Sequence, residues 1–147
     1  MKRILAFFLL SITLLSGISY GEQGKKDVYV IPIKGEINRG TYDFLNTTVN
    51  NIVTKSPEAI IFEIDTYGGN ISEAEKIKNL ILDLKVPTIS FVNKKAISAG
   101  VLIAISAEKV VMAESSNIGS SSTIPNDEKV LSMWRSFLRD VAQLRGR

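Results

Sequence analysis

The sequence contains no histidine and no cysteine among its 147 residues. Without histidine, a Ser-His-Asp triad and a histidine metal site are both excluded. Without cysteine, the chain has no disulfide, no thiolate nucleophile and no thiolate-ligated metal. Proton transfer must therefore use Asp, Glu, Lys, Tyr or a terminal amine, and we expect neither a metal nor a cofactor.

The chain also lacks a strong charge of either sign. Its net charge is +3, and Lys2 and Arg3 supply two of those charges within a segment that we expect to be removed. A nucleic-acid partner is therefore not expected. A hydrophobic fraction of 45% and a charged fraction of 22% are typical of a globular protein with a real core, and this length suits one domain.

Residues 1–21 have the pattern of a signal peptide. Lys2 and Arg3 form a basic start, and the apolar run at 4–15 is too short to span a membrane comfortably. Small residues precede a plausible cleavage point after Gly21. We therefore expect an exported, periplasmic or otherwise extracytoplasmic protein, with an uncleaved N-terminal anchor as the alternative.

A polar linker at 22–27 is followed by alternating strand and helix patterns. Their order predicts one α/β domain at 28–147, with a mainly parallel sheet and right-handed crossover helices. Continuously apolar strands further predict a sheet covered on both faces. Asn70 or Ser72 is expected to cap the second helix. The predicted strands are 28–33, 59–64, 88–92 and 109–112, the predicted helices are 39–55, 71–84, 99–107 and 130–144, and a loop is predicted at 114–127.

A glycine pair, Gly68 and Gly69, follows the second predicted strand. Glycines there allow a tight turn that aims backbone N–H groups outward, and the next helix adds the positive end of its dipole. That geometry suits an oxyanion or a phosphate, although the spacing is not GxGxxG, so a dinucleotide site is not expected. The alternative is a plain turn between a strand and a helix.

Ser98 follows the third predicted strand and starts a buried apolar helix. The N–H groups of that helix can stabilise negative charge on a tetrahedral intermediate, and the small neighbours Ala99 and Gly100 let a substrate backbone approach. The alternative is that Ser98 only caps the helix. Neighbouring parallel strands place Ser98 and the glycine pair at the same sheet edge, where open α/β proteins carry their sites.

Lys129 opens the last predicted helix, after a loop. A lysine acts as a base only in its neutral form, which burial and the positive end of a helix both favour. A lysine in the first helical turn is unfavourable for stability, so its presence is a mild indication of a role. The alternative is an ordinary solvated lysine. Lys94 and Lys95 are rivals, but we expect them to lie on an exposed turn and stay protonated.

Three motifs carry a resemblance: Asp-Thr-x-Gly-Gly at 65–69, Ile-Ser-Ala-Gly at 97–100 and Glu-Ser-x-x-Ile-Gly at 114–119. In this order they resemble the membrane-bound serine proteases of the NfeD family, which share the ClpP/crotonase fold. Tyr67 stands where that family usually has proline, and Lys-Lys-Ala-Ile at 94–97 replaces a run of small residues. Family members continue beyond the length of this chain, so we expect the domain to be incomplete at its C-terminus.

The resemblance implies a role for each candidate residue. Ser98 is the nucleophile, Gly68 and Gly69 supply oxyanion N–H groups, and Ala99 belongs to the same substrate-binding turn. Lys129 is the general base, because it lies at the start of the helix that ends in Ala-Gln-x-x-Gly-Arg. The absence of histidine agrees with a Ser-Lys dyad.

The resemblance therefore implies an exported serine endopeptidase that cleaves hydrophobic segments of membrane-associated proteins. A stomatin-like membrane protein is an implied partner, and a homodimer or larger assembly is the implied state. Three alternatives stay open. These are a signal-peptide-peptidase-like enzyme, a crotonase-like acyl-CoA enzyme, which export disfavours because CoA is cytosolic, and a non-catalytic peptide-binding or inactive truncated relative.

Overall fold

The computed structural model describes residues 26–120 and 127–147. The predicted signal peptide and its cleavage point lie outside the described residues. Within them, the alternation of strands and helices is confirmed. The strands are β1 (Val28–Ile37), β2 (Ala59–Gly69), β3 (Thr88–Ile97), β4 (Lys109–Met112) and β5 (Asn117–Gly119), and the helices are α1 (Arg39–Val53), α2 (Ile71–Leu82), α3 (Ala99–Ser106) and α4 (Glu128–Leu144).

The five strands form one sheet in the order β1-β2-β3-β4, and every pairing is parallel. The mainly parallel α/β architecture is therefore confirmed. Strand β5 also pairs with β3, beyond the end of β4, and matches Lys95 with Asn117 and Ile97 with Gly119. The prediction of a plain loop over 114–127 is wrong for Asn117–Gly119, which form β5.

The first three strands are longer at their carboxyl ends than predicted. Gly68 and Gly69 belong to β2 and pair with Glu36 and Ile37 of β1, so they are not in a turn after the strand. Lys94 and Lys95 likewise lie within β3, so they are not on the exposed turn that the sequence predicted. Apolar runs locate the buried middle of a strand, whereas backbone pairing continues past it to the sheet edge.

Alternate residues of the sheet point into a core that lies beneath the helices. The opposite face is open among the described residues, because Val30 keeps 59% of its surface exposed and Val111 keeps 47%. The expectation of a sheet covered on both faces is therefore not met in this part of the chain. The fully buried core side chains include Ile31, Ile33, Ile60, Phe62, Ile64, Leu45, Ile77, Ile81, Leu102 and Ile103.

Side-chain caps fix where the helices begin. The Asn70 side chain accepts hydrogen bonds from the backbone N–H groups of Ser72 (2.8 Å) and Glu73 (3.4 Å), so Asn70 is the N-cap of α2. Asp127 caps α4 in the same way, through Lys129 N at 2.9 Å. Across the described ranges, no helix is long and apolar enough to cross a membrane.

The last helix is held against the end of α3. Trp134 and Val141 of α4 are buried in the common core. Arg145 Nε donates to the Ser106 carbonyl at 2.8 Å, and Arg147 donates to the Ile105 carbonyl at 2.7 Å. Both cations therefore meet the carbonyl end of α3, where a helix dipole favours positive charge.

Candidate active site

Ser98 lies at the junction of β3 and α3 in a strained backbone conformation. Its φ of 52° and ψ of −118° fall in a region that residues with a side chain rarely adopt. Its backbone N donates to the Gly119 carbonyl at 3.1 Å, and its carbonyl accepts from Val101 N at 2.9 Å. Sharp, strained strand-to-helix turns present the nucleophile in α/β hydrolases, so this turn is suited to the same task.

The Ser98 hydroxyl does not cap α3. Ser98 occupies the N-cap position, but its side chain accepts no capping hydrogen bond. Within the described part of the chain its Oγ makes no hydrogen bond at all. The interpretation of Ser98 as an N-cap is therefore wrong, and the half-buried hydroxyl is available to a substrate or a base.

Gly68 leaves the space that the serine turn occupies. A Cβ at Gly68 would lie 2.7 Å from Ser98 Cβ and 3.0 Å from Ala99 N, and the φ of Gly68 is +103°. Only glycine fits both conditions. The Gly68 N–H already donates to Thr66 Oγ1 at 2.9 Å. Ala99 begins α3, so its N–H has no partner within the helix and is a suitable oxyanion donor. The oxyanion roles of Gly68 and Gly69 stay predictions.

Thr66 connects β1, β2 and α3 next to Ser98, and this role was not predicted from the sequence. It is almost fully buried, and its Oγ1 donates to the Gly35 carbonyl while accepting from Gly68 N. Its methyl group packs on α3, because a Cβ at Gly100 would lie 2.7 Å from Thr66 Cγ2. In the sequence, the position of Thr66 two residues before the glycine pair could have indicated this role.

An open groove of about 530 Å³ adjoins the serine turn. Two of its wall residues, Tyr67 and Ile97, immediately precede Gly68 and Ser98 in the chain. A groove of this size can hold part of an extended peptide beside the hydroxyl. The groove is lined by Tyr67, Lys95, Ile97, Asn117, Ile118, Gly119 and Ser120.

Lys95 places a positive charge in the groove. Its Nζ lies 4.0 Å from the centre of the Tyr67 ring and 3.9 Å from Asp65 Oδ1. Interaction with the Tyr67 side chain, aided by Asp65, raises the pKa of Lys95 above its ordinary value despite the opposing effect of burial. Lys95 therefore stays an ammonium at neutral pH, as predicted, and is unsuited to act as the base.

Lys129 lies on the exposed first turn of α4. Its backbone is fixed by Asp127, but its ammonium makes no hydrogen bond or ion pair with any described residue, Ser98 included. The Ser-Lys dyad therefore stays a prediction. In the described ranges there is also no group of three or more acidic, His or Cys side chains that could hold a metal ion.

The family model for the NfeD1b N-terminal domain matches residues 27–147. The chain is 31% identical over 145 residues to the membrane protein NfeD1b of Bacillus subtilis (strain 168), a match that covers 95% of this chain and 32% of the relative. It is 32% identical over 160 residues to the membrane-bound protease PH1510 of Pyrococcus horikoshii, covering 100% of this chain and 35% of the relative. The chain thus spans about one third of the length of these relatives.

Solved structures agree with the fold. A 1510-N membrane-bound stomatin-specific protease superposes with a TM-score of 0.78 at 31% identity, covering 84% of this chain and 66% of that one. A second 1510-N structure, in complex with a substrate peptide, gives 0.76 at 29% identity, covering 84% and 63%. ClpP1 from Listeria monocytogenes gives 0.70 at 19% identity, covering 80% and 72%, and supports the fold alone. The chain therefore has a ClpP-like fold and belongs to the NfeD1b N-terminal domain family.

Proposed function

We propose that this chain is the catalytic domain of a serine endopeptidase in which Ser98 is the nucleophile and Lys129 is the general base. The observation that carries the proposal is the strained turn at Ser98, whose Oγ has no hydrogen bond to any described residue. The neighbouring residue Ile97 lines a groove. Relatives that are named as proteases support the same activity.

The reaction follows from these positions. Ser98 Oγ attacks the carbonyl carbon of the scissile peptide bond while its proton passes to the neutral Lys129 amine. The backbone N–H groups of Ala99 and of the Gly68–Gly69 strand end receive the developing oxyanion. The C–N bond then breaks, and the leaving amine takes the proton from Lys129. Water then attacks the Ser98 ester and gives a proton to the neutral Lys129, and Lys129 passes that proton to the serine oxygen as the ester C–O bond breaks.

The choice of Lys129 rests on the family resemblance, and the properties of two rival groups agree with it. The chain has no histidine. Lys95 stays protonated beside Tyr67. Lys129 has no bonding partner among the described residues, and catalytic hydrogen bonds are often long until a substrate is bound. The proposal requires Lys129 Nζ to reach Ser98 Oγ in the substrate complex.

The proposed substrates are hydrophobic segments of membrane-associated proteins, processed outside the cytoplasm by a homodimer or larger assembly. The stomatin-specific activity named for 1510-N supports a stomatin-like partner. The structure of 1510-N with a substrate peptide supports a groove that accepts an extended segment.

The test is turnover of hydrophobic fluorogenic peptides by the purified chain and three variants. We expect Ser98→Ala and Lys129→Arg to fall to the background rate, because alanine removes the nucleophile and guanidinium does not deprotonate. Lys94→Arg, at an exposed site outside the groove lining, should keep the wild-type rate. Circular dichroism should first show that every variant is folded.

Near wild-type turnover by Lys129→Arg would contradict the role of Lys129 as the general base. Turnover by Ser98→Ala would contradict the role of Ser98 as the nucleophile. A folded wild-type chain with no turnover on any peptide would favour the non-catalytic peptide-binding alternative.

A further inference from the structure

The groove beside Ser98 has an uneven charge. Among the described residues that line it, Lys95 is the only charged one, and none is acidic. Asp65 lies behind Lys95 and is shared with Lys94, because each ammonium is 3.9 Å from one of its oxygens. One carboxylate therefore faces two ammonium groups, which leaves this corner of the site with a net charge of about +1 at neutral pH.

Tyr67 keeps the Lys95 ammonium in place at the groove. The Tyr67 ring is 75% exposed, yet the side chain of Lys95 beneath it is only 27% exposed. An ammonium 4.0 Å from a ring centre is within cation–π range, so the ring fixes the position of the charge without neutralising it. The distance to Asp65 exceeds a hydrogen bond, so Lys95 can still donate to an incoming acceptor.

The rest of the groove suits a peptide. Ile97 and Ile118 give it an apolar part, and Asn117 and Ser120 give it neutral polar groups. A side chain with an apolar stem and an anionic end would contact both the isoleucines and the ammonium. A carboxylate is the peptide group that pairs with an ammonium by a charge-assisted hydrogen bond.

We propose that this groove selects a peptide that carries a carboxylate close to the bond attacked by Ser98, and that Lys95, held by Tyr67, is the specificity-determining residue. The inference rests on the proposed function and names the substrate class of the same site. The carboxylate comes either from an acidic side chain or from a free chain end.

The test compares matched peptides for binding to the Ser98→Ala chain, so that no cleavage interferes. One hydrophobic peptide, capped at both ends, carries Glu, its twin carries Gln, and a third carries Gln with a free C-terminal carboxylate. Fluorescence anisotropy measures each Kd. We expect at least one carboxylate peptide to bind about tenfold tighter than the capped Gln twin, equivalent to about 1.4 kcal/mol. If the Glu peptide binds more tightly, the recognised carboxylate is an acidic side chain. If the peptide with the free C-terminus binds more tightly, it is a chain end.

Second-site variants separate a specific role from a structural one. Lys95→Met should abolish the preference, and Lys95→Glu should invert it in favour of a matched Lys peptide, which a merely unfolded variant cannot do. Lys94→Arg, which keeps the charge at an exposed site outside the groove lining, should keep the preference. Raising the salt concentration should reduce it.

Equal affinity for all three peptides, or a preference that survives Lys95→Met, would overturn the inference. The outcome is separable from that of the proposed function. If an uncharged fluorophosphonate labels Ser98 but the binding assay shows no preference for carboxylate peptides, the inference is wrong and the proposed function stands. If the chain prefers carboxylate peptides but the fluorophosphonate does not label it, the carboxylate-binding role of Lys95 is supported and the proposed peptidase activity is contradicted.

Discussion

At the residue scale, the account depends on the backbone at Ser98. A residue with a side chain in this conformation costs about 1–3 kcal/mol, and such strain persists only where the surroundings impose it. Here the surroundings are the Gly119 carbonyl, which accepts from Ser98 N, and Gly68, which leaves the space. The hydroxyl gains no capping hydrogen bond from the arrangement, so local stability does not explain the serine.

Replacing Ser98 by glycine and by alanine should separate strain from capping. Ser98→Ala should stay within about 0.5 kcal/mol of wild type, since no hydrogen bond to a described residue is lost and the strain remains. Ser98→Gly should be at least as stable as Ser98→Ala, because glycine tolerates a positive φ. Urea unfolding of the purified variants measures both. A loss of about 1 kcal/mol or more in Ser98→Ala alone is what a capping serine would give.

Glu63 provides a pH-dependent contribution to stability on the open face of the sheet. Lys34 Nζ lies 3.0 Å from its Oε2, and Asn93 Nδ2 donates to its Oε1 at 2.7 Å. The hydrogen bond from Lys34, helped by Asn93 against the effect of burial, lowers the pKa of Glu63. Because the folded pKa lies below the unfolded one, this stabilisation is present above the unfolded value and is lost as pH falls through the folded one.

Glu63→Gln should therefore be less stable than wild type near pH 7, and the two should converge as the pH falls through the lowered pKa of Glu63. Thermal unfolding across that range measures the difference. A gap between the two proteins that stays constant from neutral to acid pH would mean that Glu63 acts by packing alone.

At the element scale, the buried middle of the fold was predictable and the edge that carries the site was less so. The strands and helices around the core follow apolar periodicity, and Asn70 as a cap follows from its side-chain chemistry. Strand β5 was missed because Asn117–Gly119 offers one apolar residue and its pairing to β3 is non-local.

The candidate site was predictable in its residues but not in its contacts. The sequence located Ser98 and Gly68 at one edge, and the structure brings them together. It could not show that Thr66 takes up the Gly68 N–H, because that hydrogen bond depends on the backbone geometry of the strand end. It also did not show the distance between Lys129 and Ser98, which depends on how α4 packs on α3.

The contact between β2 and α3 at Gly100 should tolerate no extra methyl group. A Cβ there would lie 2.7 Å from the buried methyl of Thr66, so Gly100→Ala should destabilise by about 1–3 kcal/mol despite the better helix propensity of alanine. It should also lower turnover, because the same shift moves the serine turn. Gly40→Ala in α1, where the nearest atom is the exposed Asn38 Oδ1 at 3.3 Å, is the matched control and should cost less than Gly100→Ala. A Gly100→Ala chain of wild-type stability and rate would contradict this tight contact.

At the scale of the whole molecule, the chain corresponds to about one third of its curated relatives, and its sheet has an open apolar face in the described residues. The two curated relatives are named as a membrane protein and a membrane-bound protease. The signal peptide at 1–21 remains a prediction.

Mass spectrometry of the protein recovered from the native cell envelope should show a mature N-terminus near Glu22. The basic start, the short apolar run and the small residues before Gly21 are the reasons. An intact Met1 on membrane-embedded protein would favour the uncleaved anchor instead.

The most direct test of the central claim is active-site labelling of the intact chain with a fluorophosphonate, with the modified residue mapped by peptide mass spectrometry. The chain contains many serines, so the position of the label is informative. We predict one modified residue, Ser98, and no label in a folded Ser98→Ala variant. A label on another serine such as Ser120, or none on a folded wild-type chain, would contradict the assignment of Ser98 as the nucleophile.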